Sequence, residues 1–161
     1  MREVEWGATG ERASIVVNYG GGTDELVLRS KATGELKHVL WSHARNGTDV
    51  KLNPTWKGRQ LLPYANRIGG ARYCFNGSEH HLPVNDVAGL NNSLHGLLWN
   101  KSLDVVATQG GADIASVTLR YDFDGTDPGY PFLLRAEITY TLSTSGFSVA
   151  VRATNRDAAG G

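Results

Sequence analysis

Two short polar clusters, Asn66-Arg67-Ile68 and Asn91-Asn92-Ser93-Leu94-His95-Gly96, hold the side chains of this chain best equipped for chemistry. Arg67 carries a rigid planar fork of N–H donors, and Asn66 beside it offers both a donor and an acceptor. Together the pair is suited to gripping two vicinal hydroxyl groups. His95 adds an imidazole, and the glycine directly after it permits a backbone turn that other residues resist, leaving room for a ligand beside the ring. Taken singly, a surface arginine usually pairs with an acid and a loop histidine is usually solvated. The remaining histidines have less to offer. His80 and His81 are neighbours on a strand and point to opposite faces, so they cannot chelate one metal together. His38 and His43 have no ligand partner at a recognisable spacing, and no metal site is expected. Asp122, Asp124 and Asp127 crowd one turn but lack the spacing and closing glutamate of a calcium loop, which leaves them as solvated carboxylates. Trp41, Trp56, Trp99 and Tyr64 are able to stack on an apolar ligand face, although core packing is the commoner role for each.

The elements that must position these groups are strands. Ala115, Val117, Leu119, Tyr121 and Phe123 alternate with Ser116, Thr118, Arg120 and Asp122, the period of two of a half-buried strand. The same alternation runs through Ala136, Ile138, Tyr140 and Leu142, and again through Phe147, Val149, Val151 and Ala153. Gly110-Gly111, Asp124-Gly125, Pro128-Gly129 and Ser145-Gly146 punctuate these runs. Asn76-Gly77, between Ala71–Phe75 and Ser78–Val84, is a strong hairpin signal, and Thr33-Gly34 plays a similar part between Glu25–Ser30 and Glu35–Trp41. No stretch has helical period. The pattern predicts an all-β antiparallel sandwich built of hairpins, forming one domain over residues 1–161. The longest irregular stretch, from about Trp41 to Gly70, contains Trp56, Pro63 and Tyr64 and is expected to be an ordered, functional loop.

Sixteen basic residues balance sixteen acidic ones, so no net field draws in nucleic acid or an anionic membrane. A neutral substrate fits that balance better than a polyanion. Cys74 is alone, which excludes a disulfide framework and a CxxC metal site within one chain. The N-terminus has no signal-peptide pattern, and no long apolar stretch suggests a membrane helix, so a cytoplasmic location is expected.

The order and spacing of Gly58-Arg59-Gln60-Leu61-Leu62-Pro63-Tyr64-Ala65-Asn66-Arg67-Ile68, Phe75-Asn76-Gly77, Leu82-Pro83-Val84-Asn85-Asp86 and Ser93-Leu94-His95-Gly96 resemble the aldose 1-epimerase (galactose mutarotase) family. Gly129-Tyr130-Pro131 matches a further family segment. Two positions depart from the pattern, with Leu97 and Phe132 standing where the family usually has glycine. The resemblance implies a supersandwich β fold and interconversion of the α and β anomers of free aldoses, such as galactose and glucose, without a cofactor. It implies that Asn66 and Arg67 bind the sugar and that His95 contacts it near the ring oxygen and assists catalysis.

The same resemblance covers nearly all of this chain but only about the N-terminal half of the family's fold. The family's principal acid, a second histidine, and its base, a glutamate, are expected beyond Gly161. Three readings follow: a fragment of a normal mutarotase, which is favoured; a shortened relative that forms a homodimer to cover its open face; or a chain that keeps sugar binding without catalysis. A hexose-6-phosphate mutarotase is a fourth, in which Arg59 or Arg72 supplies the charge for phosphate.

Overall fold

The alternation from Ala115 to Phe123 becomes the backbone of the larger sheet. The structure is a computed structural model and describes residues 2–6, 10–43, 49, 55–111 and 113–157; the chain end at 158–161 lies outside them. Its first sheet runs in the order β1 (Arg2–Trp6), β2 (Glu11–Ile15), β3 (Thr23–Arg29), β4 (Leu36–Leu40). Two short ladders follow, formed from β5 (Arg67–Ile68), β6 (Arg72–Phe75), β7 (Ser78–His81) and β8 (Ser93–Leu94), with β5 paired to β8 and β6 to β7. The second sheet contains β9 (Asp104–Gln109), β10 (Ile114–Asp124), β11 (Leu133–Ser143) and β12 (Gly146–Asn155), in the order β12-β11-β10-β9. All pairings are antiparallel. The only helical pieces among the described residues are 3-10 turns at Gly69–Ala71 and Leu98–Asn100.

Register explains why the long strands bury one face. Val117 stands opposite Tyr140 and Leu119 opposite Ile138, and these side chains are fully buried against Ala13, Ile15 and Leu26 of the first sheet. On the other face Thr118 opposes Thr139, Arg120 opposes Glu137 and Asp122 opposes Arg135. Each is a direct cross-strand pair, hydrogen-bonded at 2.9, 2.8 and 2.8 Å respectively. Tyr140 is fully buried in this inner layer, and its Oη donates to the carbonyl of Gly21 in the β2–β3 turn. That bond ties the two sheets together across the core. Burial pushes the Tyr140 phenol pKa up, so the group stays a neutral donor.

The hairpin expected at Asn76-Gly77 is present. Both residues have positive φ (48° and 78°), the requirement of a two-residue turn whose twist matches its strands. β7 stops at His81, short of the expected Val84, because Pro83 has no N–H to offer a ladder. The acidic turn after β10 differs from expectation. Asp124 accepts from Thr126, whereas the Asp127 side chain is nine-tenths buried and pairs with Lys101 Nζ.

β12 is an edge strand of the second sheet. In register with Leu142, Tyr140, Ile138 and Ala136 it carries Phe147, Val149, Val151 and Ala153, all on the core-side face. Val149 and Val151 remain 42% and 48% exposed. The result is an apolar stripe beside an unpaired strand edge.

Two outcomes follow. Tyr140→Phe leaves the Gly21 carbonyl without its buried donor and should cost about 1–2 kcal/mol, read as a lower urea midpoint at unchanged slope. Val149→Lys with Val151→Lys should weaken binding of an apolar dye to this chain while shifting stability by no more than roughly 0.5 kcal/mol per site; undiminished dye fluorescence would place the accessible apolar surface elsewhere.

Candidate functional site

The two polar clusters are far apart in sequence and meet through a two-residue ladder. Arg67 pairs with Leu94 and Ile68 with Ser93, which sets Asn66 directly beside His95. Two bonds then join the residues: His95 N donates to the Asn66 carbonyl at 3.0 Å, and Asn66 N donates to the His95 ring at Nδ1, also at 3.0 Å. Both residues sit in the left-handed region, with φ 61° for Asn66 and 63° for His95. Asparagine accepts that conformation readily; histidine does so less often, and such outliers cluster where a side chain must be aimed. Gly96 is fixed by space as well as by φ, since a Cβ there would lie 2.1 Å from the Leu62 carbonyl oxygen. The neighbouring Leu97 and Leu98 amides both donate to that same oxygen, at 2.7 and 3.0 Å.

Asp86 is the anchor of the site, and sequence reasoning gave it no role. Its carboxylate accepts from Arg67 Nε at 2.7 Å and Arg67 Nη2 at 3.4 Å, from Asn92 Nδ2 at 2.9 Å and from the Val87 amide at 2.8 Å. Hydrogen bonding from Arg67, then from Asn92 and Val87, lowers the Asp86 pKa to about 2. Arg67 is thereby held in one orientation while half-exposed, with Nη1 reaching Asn66 Oδ1 at 3.4 Å. Further N–H groups of its fork remain uncommitted among the described residues. Asn85 plays the part of a missing strand, donating to the Leu94 carbonyl at 2.9 Å and accepting its amide at 2.6 Å. The sequence signal for Asn85, Asp86 and Asn92 was their position inside the quoted motifs; nothing in residue type alone separated them from loop residues.

The Asn66 amide settles the proton on His95. An N–H donating to Nδ1 makes that nitrogen the acceptor, so neutral His95 carries its proton on Nε2. Burial lowers the His95 pKa, nearby Arg67 lowers it further, and Asp86 opposes them. The site therefore offers a neutral Nε2–H donor, a guanidinium and an amide side by side.

Other candidates fall into structural roles. Arg59 Nη1 donates to the Trp99 carbonyl at 2.5 Å, and its guanidinium lies over the Tyr19 ring at 4.7 Å. His80 stacks on Tyr73, and His81 Nε2 pairs with Glu79 at 2.8 Å. Buried Asp24 accepts from Ser42 Oγ and from the His43 amide, and His43 Nδ1 abuts the same carboxylate. Burial alone would raise the Asp24 pKa, but those bonds from His43 and Ser42 lower it. Trp41 stacks on His38, and Tyr64 Oη shares a hydrogen bond with Ser93 Oγ. Trp56 lies against His95 with ring centroids 4.7 Å apart. No described helix is long and apolar enough to cross a membrane.

Comparison with known proteins agrees with this architecture. The aldose 1-epimerase family model matches residues 2–159. The protein YihR of Escherichia coli is 29% identical over 153 residues, covering 92% of this chain and 43% of its own length. A galactose mutarotase-like protein from Clostridium acetobutylicum superposes with a TM-score of 0.68 at 25% identity, over 92% of this chain and 44% of that one. The GalM/aldose epimerase homologue from Caenorhabditis elegans shares the fold at a TM-score of 0.70 and 19% identity, over 95% and 45% of the two chains. The chain thus spans less than half the length of each of these relatives.

The Asp86 anchor has a pH signature. Because folding lowers its pKa from 3.8, the ionised carboxylate stabilises the fold above that value, and the contribution is lost as pH falls through about 2. Asp86→Asn should therefore flatten the acid limb of stability over that window in urea melts. A limb as steep as wild type would show that Asp86 is not the carboxylate responsible.

Proposed function

The chain belongs to the aldose 1-epimerase family, and from that membership we propose that Asn66, Arg67 and His95 form the sugar-binding part of a site for anomeric epimerisation of free aldohexoses. In this reading Arg67 and Asn66 grip neighbouring hydroxyls, and His95 donates Nε2–H to a sugar oxygen near the anomeric centre. The observation that carries it is the reciprocal pair of bonds between Asn66 and His95, which aims a neutral N–H donor outward beside an anchored guanidinium. The reaction removes a proton from the anomeric hydroxyl and places one on the ring oxygen as the C1–O5 bond breaks. The open aldehyde rotates about C1–C2 and closes on its other face. A hydrogen bond to the ring oxygen lowers the cost of the charge developing there. The family resemblance puts the principal acid and base outside these residues, so the share of this chain is binding and polarisation.

One observation favours a second reading, sugar binding without catalysis. Asp86 is the carboxylate bound to the site's arginine, and its low pKa and full set of donors leave it a poor base. For the phosphate-sugar alternative, Arg59 is engaged with the Trp99 carbonyl and aromatic rings, which leaves the exposed Arg72 of β6 as its candidate cation.

Calorimetric titration with D-galactose and D-glucose tests the site. Arg67→Ala should weaken binding by about 10-fold or more, since hydrogen bonds to a charged group contribute ~1.5–3 kcal/mol. His95→Ala, removing a neutral donor, should cost roughly 3- to 10-fold. Affinity unchanged in both variants would remove the sugar site from these loops. Polarimetry of fresh α-anomers alongside separates the two readings: acceleration lost in His95→Ala supports epimerisation, and binding with no acceleration supports the noncatalytic one.

A further inference from the structure

The loop ahead of β5 delivers one more side chain to the site. Trp56 has φ 57°, a left-handed conformation that a bulky residue adopts only when its surroundings demand it. Its indole meets the His95 ring at a centroid distance of 4.7 Å and an interplanar angle of 62°. On another side it meets Trp99 at 5.6 Å and 76°. Both are edge-to-face arrangements, the geometry that aromatic quadrupoles favour. Arg59 backs the cluster, with its guanidinium 5.8 Å from the Trp56 ring centroid, 5.9 Å from that of Trp99 and 4.7 Å from that of Tyr19. The Arg59 amide closes the turn on the Trp56 carbonyl at 3.1 Å. Trp56 is thus held by a half-buried guanidinium cluster and presents its indole to the imidazole.

His95 needs such a support. The hydrogen bond from Asn66 to Nδ1 fixes one ring atom but leaves the imidazole able to rock about that contact, and Nε2, on the opposite side, moves most. An indole packed against the ring removes that freedom. We infer that Trp56 is the positioning residue for His95, setting the plane in which Nε2–H points at the sugar, and that the Arg59–Trp99–Tyr19 cluster holds Trp56 to the task. The inference rests on the sugar-site reading above for its ligand, but the positioning of the ring is measurable without one. Among the described residues, Trp56, Asn66, Arg67 and Asp86 face His95. Among them Trp56 supplies uncharged cover, so its loss should admit water and let the His95 pKa rise toward its ordinary 6.5.

The test is an NMR titration of His95 in the purified chain, with tautomer state read from ring nitrogen shifts, in wild type, Trp56→Ala and Trp56→Phe. Galactose affinity is measured in parallel by calorimetry. Trp56→Ala should raise the His95 pKa, blur its single Nε2–H tautomer and weaken galactose binding by roughly 2- to 10-fold, as befits an aromatic contact. Trp56→Phe, which keeps a ring, should restore most of all three. If Trp56→Ala does not fold, Trp56→Leu replaces it, being apolar but not aromatic. Weaker sugar binding with an unaltered His95 titration and tautomer would overturn the positioning role and leave Trp56 as a direct sugar contact or a packing residue. Absence of galactose binding in wild type would count against the sugar-site reading alone, since the His95 titration still decides whether Trp56 holds the ring.

Discussion

The site depends on one reciprocal contact: the Asn66 carbonyl accepts the His95 amide, and the Asn66 amide donates to the His95 ring. Each residue adopts a left-handed conformation to make it, and the β5–β8 ladder is just long enough to bring the two together. Neither bond is strong alone, since a typical hydrogen bond contributes about 1 kcal/mol net. Their value is geometric. They define where the histidine proton sits, and they bring the imidazole next to the guanidinium that Asp86 holds. The surrounding bonds serve the same end, with the Leu62 carbonyl bracing the chain after Gly96 and the Asn85 side chain standing in for a strand beside Leu94.

Charge in the site is arranged to keep its parts distinct. Arg67 and Asp86 form a fixed pair, which supplies donors without a free carboxylate, and the positive charge of Arg67 helps keep His95 neutral. The donors gathered here are thus either neutral or paired with a carboxylate. Loss of Asp86 would act on both partners at once. It would free the guanidinium to move, and it would remove the negative charge that opposes the depression of the His95 pKa.

The sandwich beneath is rigid where it must be and open on one side. Tyr140 fastens the second sheet to the β2–β3 turn through the core, and paired residues on the outer face keep the long strands in register. β12, by contrast, packs Phe147 against Tyr140 but leaves Val149 and Val151 on the core-side face largely exposed. The relatives with which the chain aligns are more than twice its matched length.

Much of the fold was legible in the sequence because its causes are local. Alternation of period two placed the long strands from Ala115 onward, and Asn76-Gly77 placed its hairpin, since left-handed φ at both turn positions needs residues of that kind. Motif spacing singled out Asn66, Arg67 and His95 together, and the family they resemble is the one the chain belongs to. What the sequence left undetermined depends on contacts between distant segments. Asp127 looked like one more solvated turn acid until the fold brought Lys101 to it. Asp86 had no more claim than any loop acid until the fold brought the Arg67 guanidinium to it. Trp56 gained its role from a ring contact between residues 56 and 95, which no local pattern encodes. Sequence by itself determined which side chains and turns were available; tertiary structure decided which of them met, because hydrogen bonds and ring contacts act over a few ångströms and only the packed chain brings those partners within range.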